Sequence, residues 1–279
     1  MRVNRDRTNE KLYLDQEQYL NKVLNQFNMQ KCNPSATPEE SLKLTKTQHG
    51  ERQADLKLYQ SIVGATIYAS ISTRPDIPHA VNMVSRYLGN PSEQHLFAAK
   101  RILRYIKGST NVGLTFQGQN SNQISIPAYA DADWAGDLDD RKSTTGYVIM
   151  IGDCVVSWVS KKQSTISLSS AEAEYMAISS TVQEIKWIRQ LLNELYICYQ
   201  NEPTMLNIDN QAAIAISEND VHHARTKHID IRHHFVRDSI KNKEIQLKWV
   251  NTQNQLADIL TKGLLRIRFN YLRQLLLKQ

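Results

Sequence analysis

Acidic side chains that ordinary structure does not explain are the first place to look for chemistry in this chain. Ser169-x-x-Glu172 has the spacing of a capping box, in which hydroxyl and carboxylate satisfy the first free N–H groups of a helix, so Glu172 has a structural role. Glu174 has no such role. It falls on the stripe Ala171, Ile178, Val182, Ile185 and Leu192, where a carboxylate is desolvated unless a cation or donors compensate it. Asp131 and Asp133 share one face of a strand with Ser125 and Tyr129, and period-two parity does not choose between them. Asp209 ends an apolar strand ahead of a helix, as an N-cap would, yet ligands also gather beyond the carboxyl ends of such strands. Asp258 reads as part of an early turn of a last helix, where a carboxylate complements the helix dipole. Asp137, Asp139 and Asp140 read as turn residues.

One acid from the first strand, one from the first helix, one from the fourth strand and one from the last helix can meet at one sheet edge. Four carboxylates there repel each other and resist ionising without a counter-charge. Hard divalent cations with oxygen ligands, Mg²⁺ or Mn²⁺, supply it. Two such ions about 4 Å apart serve in-line displacement at a phosphodiester.

The elements that must position these acids lie in the second half. ISIPAYADADW alternates, and TGYVIMI and CVVSWVS are apolar runs joined by Gly152-Asp153, a hairpin turn signal. A long helix over 169–196, a strand over 204–209, a short helix over 210–217, a helical stretch over 228–240, a strand over 245–250 and a helix from Asn254 follow. Hairpin-linked strands give antiparallel neighbours and helix-linked strands parallel ones, so the expectation is an α/β fold: a mixed five-stranded sheet flanked by helices on both sides. Upstream, MRVNR and KLYL read as a hairpin and residues 15–107 as mainly helical, with a proline-containing loop after position 32 and helices over 56–71, 77–88 and 92–106. The Gly/Asn/Ser-rich stretch 108–122 places a boundary between an N-terminal domain, 1–117, and a second domain, 118–279.

Charge divides at the same point. Residues 1–117 carry 16 Lys+Arg against 10 Asp+Glu, whereas 118–279 carry 18 of each, so the whole excess of +6 is upstream, as an electrostatic footprint for a polyanion would be. Lys100, Arg101, Arg104 and Lys107 group along one helix as candidate phosphate contacts. No apolar run reaches the ~18 residues of a membrane helix, and the charged amino terminus is unlike a signal peptide. Three widely spaced cysteines argue against a disulfide framework and for a reducing compartment.

YADADWAGDLDDRKSTTGYV (129–148), SWVSKKQSTISLSSAEAEYMA (157–177), LNIDNQAAI (206–214), KHIDIRHHFVRD (227–238) and QLADILTKGL (255–264) resemble the ribonuclease H domain of copia-type LTR retrotransposon Pol polyproteins. FNMQKCNPSATP (27–38), YQSIVGATIYASISTRPDIPHAVNMVSRY (59–87) and HLFAAKRILRYIKGS (95–109) are similar to the end of the reverse transcriptase of the same polyproteins. The resemblance implies an RNase H-like fold after position 118, preceded by a primer-grip-like hairpin and a helical thumb or connection. It implies metal-dependent endonucleolytic cleavage of RNA in an RNA–DNA hybrid, with two Mg²⁺ ions, or Mn²⁺, as cofactors. Carried over by position, the catalytic and metal-binding acids are Asp131, Glu174, Asp209 and Asp258. Asp131 would bridge both ions, Asp258 would hold the ion that activates water, and Glu174 and Asp209 would help hold the other. Ser169 and Ser170 match the segment that touches nucleic acid at the minor groove, where 2′-hydroxyls mark RNA. The implied partners are the hybrid and the upstream remainder of the polyprotein, without a membrane. The implied location is the cytoplasm, in a virus-like particle, or the nucleus.

Two departures stand out. Cellular relatives carry a His-bearing loop before the final Asp, whereas WVNTQNQLAD (249–258) is short and has no His, which makes His228 and His233 the accessory candidates. The five histidines over 222–234 lack a tetrahedral Cys/His zinc set. No Tyr-x-Asp-Asp polymerase motif occurs, so DNA synthesis is not expected of this chain. The competing readings are a catalytically inactive nucleic-acid-binding relic and an integrase-like strand transferase. The order Asp, Glu, Asp, Asp disfavours the transferase.

Overall fold

In a computed structural model the chain is described over residues 1–40, 44–118, 124–197, 202–218 and 227–278, with side chains left out for 227–233. Cys198, residues 119–122 of the expected linker, and the side chains of His228 and His233 lie outside the described residues. The chain forms two compact units. The first comprises 1–118, 137–141 and 262–279, and the second 119–136 and 142–261.

In the first unit, β1 (Arg2–Asp6) and β2 (Lys11–Asp15) form the expected hairpin. β3 (Leu114–Gln117) then pairs antiparallel with β2. α1 (Glu17–Gln26), α2 (Leu56–Ser72), α3 (Pro78–Ser85), α4 (Glu93–Lys107) and α8 (Arg266–Leu277) complete it. Leu20, Tyr59, Ile62, Ile102 and Ile106 are buried there, as are Phe269 and Leu272 of α8. The pre-proline Arg74 lies just beyond the C-cap of α2 and is fully buried. It bonds Asp76 through Nε and Nη2 at 2.8 Å each, while the Tyr105 hydroxyl also donates to Asp76. Burial opposes ionisation of Asp76, but the Arg74 guanidinium outweighs it and holds this carboxyl below its ordinary range.

The second unit is an α/β fold. Its mixed sheet has the order β6-β5-β4-β7-β8, from β4 (Ala128–Asp133), β5 (Thr144–Ile151), β6 (Cys154–Lys162), β7 (Thr204–Ile208) and β8 (Ile245–Trp249). β4, β5 and β6 are antiparallel neighbours, with Gly152 taking the positive φ of +59° in the β5–β6 turn. β7 runs parallel to β4 and β8. α5 (Ser170–Glu194), α6 (Gln211–Glu218) and α7 (Lys227–Lys241) share one core with one sheet face: Ala128, Ala130, Ala132, Tyr147, Ile149, Leu206 and Ile208 meet Ala173, Ala177, Ile178, Ala213 and Val236. The opposite face differs from the expectation of helices on both sides: a 3-10 turn, Leu256–Leu260, packs there against β4 and β5, preceded by an exposed 3-10 turn, Thr252–Asn254. No α-helix starts at Asn254, and α8 begins only at Arg266, so Asp258 rides on a 3-10 turn rather than on an α-helix.

Candidate metal centre

Alternation along β4 decides which acid can reach the site. Asp131 pairs directly with Gly146 of β5, and directly opposed residues point to the same face. A Cβ at Gly146 would lie 2.5 Å from Thr261 Cγ2 and 2.9 Å from Leu260 Cβ, so that face looks onto the 3-10 segment. Ala130 and Ala132 look into the α5 core instead. Asp133 shares the Asp131 face but is turned into the loop that follows, its carboxylate against the backbone of Gly136.

Asp209 follows β7. The capping role open to it in the sequence is filled by its neighbour: Asn210 Oδ1 accepts the Ala213 N–H at 3.1 Å. Asp209 Oδ2 accepts the Thr252 hydroxyl at 2.8 Å. Asp258 is buried, and so is Asp131, whose Oδ2 accepts the Thr261 hydroxyl. Carboxylate oxygens of Asp131, Asp209 and Asp258 all lie within 4.8 Å of one another. Three of the four expected acids are therefore together.

Glu174 is the exception. It is buried at 6% exposure on the first turns of α5, as its place on the apolar stripe implies, but it is not in the set of mutually close oxygens. Glu172 is occupied by capping. Ser169 Oγ accepts the Glu172 N–H at 3.2 Å, and Glu172 Oε2 accepts the Leu168 N–H at 2.7 Å.

The segment after β8 holds the centre together. Gln255 is fully buried, and its Nε2 donates to Ala130 O at 3.0 Å and Asn207 O at 3.4 Å. Its Oε1 accepts the Ala257 N–H at 3.2 Å. One side chain thus ties the turn bearing Asp258 to the strands bearing Asp131 and preceding Asp209. Thr252, Gln255 and Thr261 were not singled out from the sequence, yet with Asp258 they recur every third residue.

Ser169 and Ser170 are exposed at the start of α5. Nearby, Trp134 is 51% exposed with its indole N–H fixed to Ser167 O at 3.0 Å. In the first unit, Arg101 pairs with Glu40 at 2.6 Å and Arg104 Nε donates to Asn33 O at 2.8 Å, so both hold the 33–40 loop. Lys100 and Lys107 are half-buried on the same helix. Among the described residues no helix is long and apolar enough to cross a membrane.

The donor set is entirely carboxylate oxygen, the chemistry that Mg²⁺ and Mn²⁺ prefer. Two of its three members are buried, where their mutual repulsion is least screened. The residues fit a divalent cation.

No family model matches the chain. It is 42% identical over 281 aligned positions to the retrovirus-related Pol polyprotein from transposon TNT 1-94 of Nicotiana tabacum, covering 99% of this chain and 21% of that one. It is 41% identical over 258 positions to the corresponding polyprotein from transposon RE1 of Arabidopsis thaliana, covering 92% of this chain and 17% of that one. An RNase H1 isolated from compost aligns at 14% identity and a TM-score of 0.37, covering 50% of this chain and 94% of that structure. The chain spans about a fifth of the polyproteins it matches, and it belongs to their family, the retrovirus-related Pol polyproteins of transposons, as the copia-type resemblance implies.

Proposed function

We propose that the second unit is a divalent-metal-dependent endonuclease that hydrolyses RNA in RNA–DNA hybrids, as the RNase H part of a retrotransposon polyprotein. The observation that carries this reading is the meeting of Asp131 on the central strand β4, Asp209 after β7 and Asp258 on the 3-10 turn, two of them buried. Those three carboxylates would hold the cation. Glu174 enters the set only if its side chain or the first turn of α5 shifts toward a bound ion. When bound, such ions polarise the phosphodiester and make water acidic enough to attack it.

The rest of the work belongs to the chain's own groups. Gln255 fixes the spacing of the strands and the turn that present the acids. The exposed hydroxyls of Ser169 and Ser170 sit at a helix N-terminus, which favours a phosphate oxygen and offers partners to a 2′-hydroxyl. Lys100 and Lys107 are the cations proposed to meet phosphate in the first unit, a contact that is sequence-independent and weakened by salt.

The test is incubation of the purified chain with a labelled RNA–DNA hybrid and Mg²⁺. Cleavage of the RNA strand, abolished by EDTA and reduced at least about 10²-fold by Asp209→Asn, is expected, in line with the size of single electrostatic contributions to catalysis. Hybrid binding without metal-dependent cleavage would refute the proposal and leave the inactive relic as the reading.

A further inference from the structure

The 3-10 segment does more than deliver Asp258. Two of its hydroxyls reach the other two acids of the centre. Thr252 Oγ1 donates to Asp209 Oδ2 at 2.8 Å, and Thr261 Oγ1 donates to Asp131 Oδ2. Both bonds land on one oxygen of an aspartate that has two, and each fixes the rotation of that carboxylate about its Cβ–Cγ bond. The segment is itself anchored through the Gln255 amide, which donates to Ala130 O and Asn207 O. The Thr261 methyl lies over Gly146, the residue paired with Asp131, so its rotamer is set by packing and its hydroxyl is aimed at the carboxylate.

We infer that Thr252 and Thr261 are positioning residues that orient Asp209 and Asp131 toward the cation, so that one short segment supplies one ligand and aims the other two. This rests on the proposed metal centre. Hydroxyl donors suit the task for a physical reason: a donated hydrogen bond holds a carboxylate in place without adding a competing positive charge beside it. Outer partners of metal ligands typically contribute ~10–100-fold to metal affinity by restricting ligand orientation.

The experiment follows Mn²⁺ uptake by the full chain through the electron paramagnetic resonance signal of the free ion, which needs no turnover. Thr252 is exposed, so its substitution removes the bond and leaves the core intact. Thr252→Val is expected to weaken Mn²⁺ binding about tenfold, the lower end of such effects, with an unchanged melting temperature in EDTA. Thr252→Ser, which keeps the hydroxyl, is expected to bind as the wild type does. Thr261→Ser, judged against Thr261→Val, extends the comparison to the buried site. In cleavage assays the Thr252→Val defect should shrink as Mn²⁺ is raised to saturation. Wild-type affinity in Thr252→Val, or a loss in Thr252→Ser equal to that in Thr252→Val, would overturn the inference. If Asp209→Asn abolishes uptake while Thr252→Val binds Mn²⁺ as the wild type does, the metal centre stands and the positioning role falls. If the wild type takes up no Mn²⁺, both fall.

Discussion

Gly146→Ala should damage the centre without touching any acid. The added Cβ would lie 2.5 Å from Thr261 Cγ2, 2.9 Å from Leu260 Cβ and 3.2 Å from Ala257 O, all on the segment that carries Asp258. Non-bonded carbons settle at about 3.5–4.0 Å, so the segment must retreat by about 1 Å or β5 must bend away. Overpacking of this kind costs ~1–3 kcal/mol, and each kcal/mol lowers the melting temperature of a domain of this size by roughly 2–4 °C. A 1 Å displacement of catalytic groups costs on the order of 10²-fold in rate, so activity should fall further than stability. The assay pairs thermal melting with hybrid cleavage and Mn²⁺ uptake. Gly64→Ala in α2 is the control, because a Cβ there meets nothing within 4 Å, and it should be neutral or slightly stabilising. Adding Thr261→Ser to Gly146→Ala removes the 2.5 Å contact and keeps the hydroxyl, so part of the melting temperature should return. A Gly146→Ala protein that melts, binds Mn²⁺ and cleaves like the wild type would refute this account of the segment.

Two further outcomes concern the first unit. Arg74→Met leaves Asp76 charged and fully buried without its guanidinium, and should cost ~3–5 kcal/mol in urea unfolding. Arg74→Met with Asp76→Leu, which removes both charges, should cost less, and an equal cost would refute the role of the pair. His95 accepts the Ser92 N–H at Nδ1 (2.9 Å), stacks on Tyr87 and lies 2.9 Å from Thr45 O through Nε2. Burial pushes its pKa below the ordinary 6.5, against the smaller raising effect of Thr45 O. The unfolded chain therefore binds the proton more tightly, so the stabilisation is complete above about pH 6.5 and is lost as pH falls below it. The melting temperature should drop on acidification from pH 7 to about 5.5, and His95→Gln should flatten that slope. An unchanged slope would show that His95 does not titrate on unfolding.

The parts of this architecture that obey a two- or 3.6-residue period were legible in the sequence. Alternation located β4, and Gly152-Asp153 located the β5–β6 turn. The contrast between a capped Glu172 and a desolvated Glu174 followed from spacing alone. What stayed hidden obeys other rules. Thr252, Gln255, Asp258 and Thr261 lie on and around two short 3-10 turns split by an extended Gln255, which a search at 3.6 reads as the start of a helix. β3 is four residues long and gains its identity only from pairing with β2, far away in the sequence. Arg74 reads as a helix stop, because burial of an arginine depends on an Asp76 and a Tyr105 that composition cannot place around it. Arg101 and Arg104 look like a polyanion surface in sequence but are engaged by Glu40 and Asn33, acceptors more than sixty residues upstream.

The first unit is assembled from three separated stretches of chain, the last of them 262–279. A ribosome releases all of 119–261 before Phe269, Leu272 and Leu276 become available, so the second unit can finish folding while its predecessor still lacks part of its interior. An expression clone stopped at position 118 would leave Tyr105 without the Phe269 ring that meets it edge-on at 5.4 Å, and would call for a chaperone or a solubility partner. Circular permutation that carries 262–279 to the front would be the gentler way to isolate that half.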